Sequence, residues 1–232
     1  MIRALIFDLD QTLVDRDSTF LNFVTKQYER FESQLSTIDQ RRYIDYLVDN
    51  ENNGYRSKDA LYPLLCKELN LEVDPQELLE DFWQFYGDDP ILFPGVPETL
   101  SQLEPNYSLG IITNGRSHGQ RRKIENSGIA GHFRSIKVSE EEGIKKPDIR
   151  IFRACVAELI LQPNECLFIG DNPEVDIEGA KSAGLYAIWI RNDRFPPPTD
   201  CDGSIDQVEE LIELLSQESE SGASFVGNPS TR

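Results

Sequence analysis

Asp8 and Asp10 stand one residue apart at the end of the apolar run in LIFDLDQTL. An apolar strand has no need of two acids there, and anions so close repel one another. A cation or a reactive group is therefore expected beside them. Other chemistry-bearing residues also fall where apolar runs end. Thr113 closes LGIIT and is followed by Asn114 and Gly115; Asp171 and Asn172 follow CLFIG, with Asp176 a turn later; IKKPD carries Lys145 and Lys146 ahead of Pro147. Each has an ordinary explanation alone: the acids as helix caps, TNG as a turn, the lysines as a solvated pair. Together they set carboxylates, a hydroxyl and a lysine on one edge. Clustered carboxylates call for a hard divalent cation, and Mg²⁺ prefers a few of them with waters and a phosphate oxygen.

The elements that must position these residues follow from the apolar pattern. ALIF (4–7), LGIIT (109–113), CLFIG (166–170) and YAIWI (186–190) are short and apolar without alternation, as expected of parallel strands covered on both faces. SIKVS (135–139) is a weaker fifth. Between them PETLSQLE, SHGQRRKIENSG, PDIRIFRACVAELI and EVDIEGAKSAG have helical character, two of them stopping at Gly128 and Gly184. Strands alternating with helices predict an α/β protein with a doubly wound, Rossmann-like parallel sheet, whose ligands bind beyond the carboxyl ends of the strands. Four amphipathic segments without a strand, from FLNFVTKQYERF to QELLEDFWQFY, interrupt that alternation; Pro63 should kink the third or mark its start. The expected organisation is a catalytic core of residues 1–15 and 90–215, an all-helical insert at 16–89, and a polar, disordered tail at 216–232.

The formal net charge of −18 argues against binding to nucleic acid or an anionic membrane surface. No apolar run approaches a membrane span, and the first residues do not resemble a signal peptide. Cys66, Cys155, Cys166 and Cys201 are scattered, form no CxxC pair and are expected as reduced thiols in a cytoplasm. A monomer or weak homodimer is expected. His118 and His132 are assigned to surface helix positions. Arg121, Arg122 and Lys123 are assigned to a solvated helix face, and Trp83 and Trp189 to the core. Arg16, Asn22, Arg56 and Lys58 are either ordinary surface or groups that reach a substrate from the insert.

DLDQT, TN, KKPD and GDNPEVD, in this order and at these distances, resemble the four signature motifs of the haloacid dehalogenase (HAD) superfamily, over the chain to about residue 215. The insert resembles the helical cap of the subgroup that holds nucleotidases, sugar phosphatases and true dehalogenases. SGIAGHFRSIKVSEEEGIKKPDIRIF resembles the nucleotidase-like and acylneuraminate-9-phosphatase-like branch. The resemblance implies a Mg²⁺-dependent phosphatase of a small phosphorylated metabolite. Asp8 would be the nucleophile that becomes an aspartyl phosphate, and Asp10 the general acid and then base, its backbone carbonyl also reaching the metal. Thr113 and Asn114 would hold phosphoryl oxygens, and Lys146 would neutralise nucleophile and phosphate. Asp171 would complete the Mg²⁺ site with Asp8 and Asp10. Asp176, with Asn172, would support it from behind, orienting Lys146 or a water on the metal. Elementary chemistry agrees: a carboxylate can accept a phosphoryl group once cations remove the repulsion of the dianion. Gln11 stands where many relatives have glycine, and glutamine disfavours positive φ. An acid at position 10 speaks for an oxygen leaving group, which needs a proton, over a halide, which does not. The alternatives are a phosphomutase of the same fold, a haloacid dehalogenase and a catalytically idle binding module.

Overall fold

The structure is a computed structural model that describes residues 1–221. The chain divides into two compact units, one of Met1–Asp15 with the chain from Leu92 onward, the other of Arg16–Ile91. In the first, β1 (Ala4–Phe7), β2 (Ser108–Thr113), β3 (Phe133–Val138), β4 (Cys166–Gly170), β5 (Tyr186–Ile190) and β6 (Gly203–Ile205) form a parallel sheet ordered β3-β2-β1-β4-β5-β6. Successive strand residues face opposite sides. Leu5, Phe7, Leu109, Ile111, Leu167 and Ile169 pack on one side with Leu100 of α5 (Val96–Leu103), Ile124 of α6 (Ser117–Asn126) and Leu211 of the C-terminal helix. Ala4, Ile6, Phe168, Ala187 and Trp189 pack on the other with Phe152 and Cys155 of α8 (Ile149–Glu158) and Ala180 of α9 (Gly179–Ala183). Both faces are thus buried, which is why the strands lack polar alternation.

The register levels Phe7 with Ile111 of β2 and Ile169 of β4. The residues after these three strands therefore emerge side by side. The chain moves outward from β1 through β2 to β3, then crosses to β4 on the other side of β1, so β1 and β4 flank the topological switch point, where such sheets bind ligands. β6 is a sixth strand that the sequence does not announce: three residues, none of them a run of apolar type. The C-terminal helix α10 (Glu210–Ser221) corrects the expected tail, because residues 216–221 are helical; residues 222–232 lie outside the described part. A short α7 (Ser139–Glu142) follows β3. Among the described residues no helix is long and apolar enough to cross a membrane.

The second unit packs α1 (Arg16–Arg30), α2 (Gln40–Asn50), α3 (Lys58–Leu69) and α4 (Pro75–Phe85) around Phe20, Val24, Tyr43, Leu47, Leu61, Tyr62, Leu65 and Phe82. Pro63 lies inside α3, which starts five residues earlier. Gln27 holds this core's polar centre, accepting from the Tyr43 and Tyr62 hydroxyls and donating to Asp81. Arg16 and Lys58 are buried, not surface: both donate to the buried Glu51 carboxylate, at 2.6 Å from Arg16 Nη1 to Oε1 and 3.0 Å from Lys58 to Oε2. Burial disfavours the Glu51 anion, but the two cations hold its carboxyl below the ordinary value.

Candidate active site

Asp8 is the first residue past β1, and its N–H still donates to Ile169 O at 2.9 Å, so the sheet fixes its backbone. The chain then turns: the N–H groups of Leu13 and Val14 both donate to Leu9 O at 2.9 Å, and Gln11 N–H donates to Val14 O at 2.7 Å. Gln11 sits at φ 65°, so the glutamine adopts the left-handed conformation it was expected to avoid. That costs on the order of 1 kcal/mol, which the hydrogen-bonded turn offsets.

Lys146, almost wholly buried, donates to Asp8 Oδ1 at 2.6 Å and pairs with Asp176 Oδ1 at 2.7 Å. Its backbone is clamped by Asn114, whose Oδ1 accepts from Lys146 N at 2.9 Å and whose Nδ2 donates to Lys146 O at 3.1 Å. The Asn114 amide thus sets the lysine, where the sequence suggested a hold on phosphoryl oxygens. Asp171 follows β4, and its carbonyl accepts from Trp189 Nε1 at 2.8 Å and Asn192 Nδ2 at 2.9 Å. Asn172 caps the wide helical turn Pro173–Glu178 through bonds from Glu174 N and Val175 N. Asp176 Oδ2 accepts from Asn172 N at 3.1 Å. Gly170 allows this closure: a Cβ there would stand 2.6 Å from Asp176 Oδ2.

Carboxylate oxygens of Asp8, Asp171 and Asp176 lie within 4.8 Å of one another, all three residues buried. Three buried carboxyl groups share one lysine, so full ionisation would leave the cluster net negative. Burial, reinforced by Asp176 and Asp10 and opposed by Lys146, pushes the Asp8 carboxyl up to about 7. Burial, with Asp176 and Asp8 adding to it, pushes Asp171 up to about 8. Burial lowers the Lys146 ammonium, but Asp176 and Asp8 outweigh it and hold the lysine protonated. Hard oxygen donors this close, whose charge a divalent cation would offset, fit Mg²⁺. The acidic trio consists of Asp8, Asp171 and Asp176, and the Asp10 carboxylate is not among them.

The Asp10 carboxylate is held by α6. Lys123 Nζ lies 2.5 Å from Oδ1 and 2.6 Å from Oδ2, and Gln120 Nε2 donates to Oδ2 at 2.9 Å and to Thr113 Oγ1. Lys123 is buried, contrary to the solvated face assigned to it; its neighbour Arg121 does face outward, donating to Glu141. The available signal was periodic. Gln120, Lys123 and Ile124 share the buried face of a helix that covers the sheet, so two inward positions carry polar side chains. His118 is exposed, and His132 is half-buried against Glu104 at 2.7 Å.

The model of the haloacid dehalogenase-like hydrolases matches residues 5–190. The HAD-hydrolase YfnB of Bacillus subtilis is 29% identical over 93% of this chain and 96% of its own. Its crystal structure, bound to magnesium, superposes with a TM-score of 0.74 over 92% of this chain and 98% of that one. The pyrimidine 5'-nucleotidase YjjG of Escherichia coli is 30% identical over 90% of this chain and 96% of its own. The N-acylneuraminate-9-phosphatase of Mus musculus is 27% identical, covering 92% of each. The doubly wound sheet and the acidic edge are those of a hydrolase, and the chain belongs to the haloacid dehalogenase-like hydrolase family. Within that family it is a phosphatase.

Proposed function

We propose that the protein is a Mg²⁺-dependent phosphatase of a small phosphomonoester, working through an aspartyl phosphate on Asp8. The observation that carries this is the convergence on Asp8: Lys146 at 2.6 Å, two further buried carboxylates within 4.8 Å, and a second acid two residues along. An Asp8 oxygen attacks phosphorus, the P–O bond to the leaving group breaks, and Asp10 gives that oxygen its proton. Water then attacks the aspartyl phosphate and passes a proton to Asp10; the P–O bond to Asp8 breaks, and phosphate and the free carboxylate are restored. Asp8, Asp171 and Asp176 would hold Mg²⁺, with the Asp10 main-chain carbonyl as a further oxygen, and the ion would supply positive charge against the phosphoryl group. Lys146 supplies the same from the other side, and Thr113 is placed to hold a phosphoryl oxygen. The curated relatives point to small phosphorylated substrates, among them nucleotides and acylated sugar phosphates.

The test is Asp8→Asn with Mg²⁺ and a panel of phosphorylated metabolites. Wild type should release phosphate and, quenched in acid during turnover, gain the mass of one phosphoryl group on the peptide containing Asp8. The variant should fold and do neither. A variant that keeps more than a few per cent of wild-type kcat without deamidation, or a phosphoryl group found on another residue, would overturn the assignment.

A further inference from the structure

We propose that Lys123 and Gln120 are positioning residues for proton transfer: from the buried face of α6 they aim the Asp10 carboxylate, and through Gln120 the Thr113 hydroxyl, at the phosphoryl site. The proposal rests on Asp8 and Asp10 being nucleophile and acid–base.

Asp10 needs an external hold. It lies beyond β1 in the turn that carries Gln11 at φ 65°, and its side chain keeps 22% of its surface exposed. A carboxylate so placed can turn about its side-chain torsions, and proton transfer demands reach within hydrogen-bond distance of one particular oxygen. Lys123 contacts both carboxylate oxygens, and Gln120 takes one of them again, so three contacts from two donors hold the group.

The Gln120 amide is oriented by the same contacts. An ionised carboxylate only accepts, so the Nε2 side must face Asp10. That same Nε2 donates to Thr113 Oγ1. A hydroxyl that accepts from Gln120 still has its own proton to donate, which suits a phosphoryl oxygen. Gln120 thus couples the acid–base group to the phosphate-holding hydroxyl. The local backbone makes room for it: Gly115 sits at φ 153°, and a Cβ there would stand 2.9 Å from Gln120 Cγ.

A purely structural lysine would not need this arrangement. A buried ion pair is about break-even against apolar side chains of similar size, and the adjacent Ile124 already packs into the core. The neighbouring cations of α6 have other partners: Arg121 on Glu141 and Arg122 beside His118. Of these three basic residues, the buried one is aimed at the acid.

The experiment measures the two chemical steps separately in Lys123→Met, Lys123→Arg and Asp10→Asn, with Mg²⁺ and p-nitrophenyl phosphate. Nitrophenolate needs almost no proton, so phosphorylation of Asp8 should survive loss of aim, while hydrolysis of the aspartyl phosphate should not. Lys123→Met should give a burst of nitrophenolate at near wild-type rate. Its later turnover should be slower by about 10–100-fold, part of the full worth of acid–base catalysis. kcat/KM should stay within about threefold of wild type, since it reports binding and phosphorylation alone, and KM should fall together with kcat. The best alkyl phosphomonoester from the panel should lose kcat without a burst, and Lys123→Arg should recover most of the rate. Burst and turnover falling in proportion, or neither changing, would overturn the proposal. Asp10→Asn separates the two layers. If it shows the split and Lys123→Met does not, only the positioning role fails. If it shows none, the acid–base assignment itself fails. Should Lys123→Met not fold, Gln120→Leu takes its place, with a smaller split expected and its absence equally decisive.

Discussion

Removing an acid from the site should make the metal-free protein more stable. The acid is Asp171, buried beside Asp8 and Asp176, its carboxyl raised from 3.8 to about 8 by burial first and the other two acids next. In the unfolded chain it ionises near the ordinary value. Between about pH 4 and 8 the native state therefore keeps a proton that the unfolded state has released, and stability falls as pH rises through that window. At about 1.4 kcal/mol per unit, the penalty at pH 7 is on the order of 4 kcal/mol. This is a ceiling, because Asp8 and Asp171 share the repulsion. Asp171→Asn cannot ionise, so in EDTA it should melt above wild type at pH 7. The gap should be several degrees, at roughly 2–4 °C per kcal/mol for a chain of this size, and should narrow towards pH 5. Saturating Mg²⁺ should narrow the gap, raising wild type by about 2.7 kcal/mol at a hundredfold excess over Kd and the variant by much less. Thermal denaturation from pH 5 to 8, with and without Mg²⁺, measures all of this. A wild-type melting temperature that climbs with pH in EDTA, or an Asp171→Asn protein less stable there, would refute the electrostatic account.

Mg²⁺ should restore activity after EDTA while Ca²⁺ restores little, because its larger, looser shell sets the ligands apart; equal rates with both ions would contradict a tight octahedral site. Gly170→Ala places a methyl 2.6 Å from Asp176 Oδ2, so it should cost about 1–3 kcal/mol and also lower kcat; denaturant unfolding and turnover read the two effects. Lys58→Glu should destabilise the helical unit by about 3–5 kcal/mol, since it sets an anion against the buried Glu51. Arg56→Glu, on a half-buried side chain, should cost under about 1 kcal/mol, and equal losses in the two would argue against the buried triad.

Strands written as dense apolar runs were legible to the residue: β1, β4 and β5 have the bounds that ALIF, CLFIG and YAIWI suggest. The acids and threonine of the site stand at the ends of β1, β2 and β4, because a parallel sheet aligns the carboxyl ends of its strands, and Lys146 comes from the loop after α7. Legibility failed where charge was internally matched. Lys123 reads as surface in RRK, and its contact with Asp10 offsets its burial; Lys58 and Arg16 are hidden by Glu51 in the same way. A pairing partner far along the chain leaves no local pattern. Asn114 illustrates a second limit: its residue type suits a phosphate or a backbone equally, and only the approach of Lys146 decides between them. β6 lacks the apolar density that marks a strand, since an edge position buries little of it, and Gln11 shows a turn overriding an intrinsic preference.

The turn after Asp10 ends in a small stalk. Val14 bridges antiparallel to Leu92, and Phe93 N–H donates to Leu13 O at 3.0 Å. The chain therefore leaves for Arg16–Ile91 and returns at one point, whose closure is secured by bonds within the sheet-bearing unit. An excursion tethered this way can grow or shrink almost without penalty, since doubling a loop costs only about 0.6 kcal/mol of closure entropy. The stalk also isolates the Asp8–Asp10 geometry from what happens between its two strands. Recombination could exchange the intervening helices for others, or leave a short turn, without moving either acid. A chain wired like this can change what it recognises over evolutionary time while its chemistry stays constant.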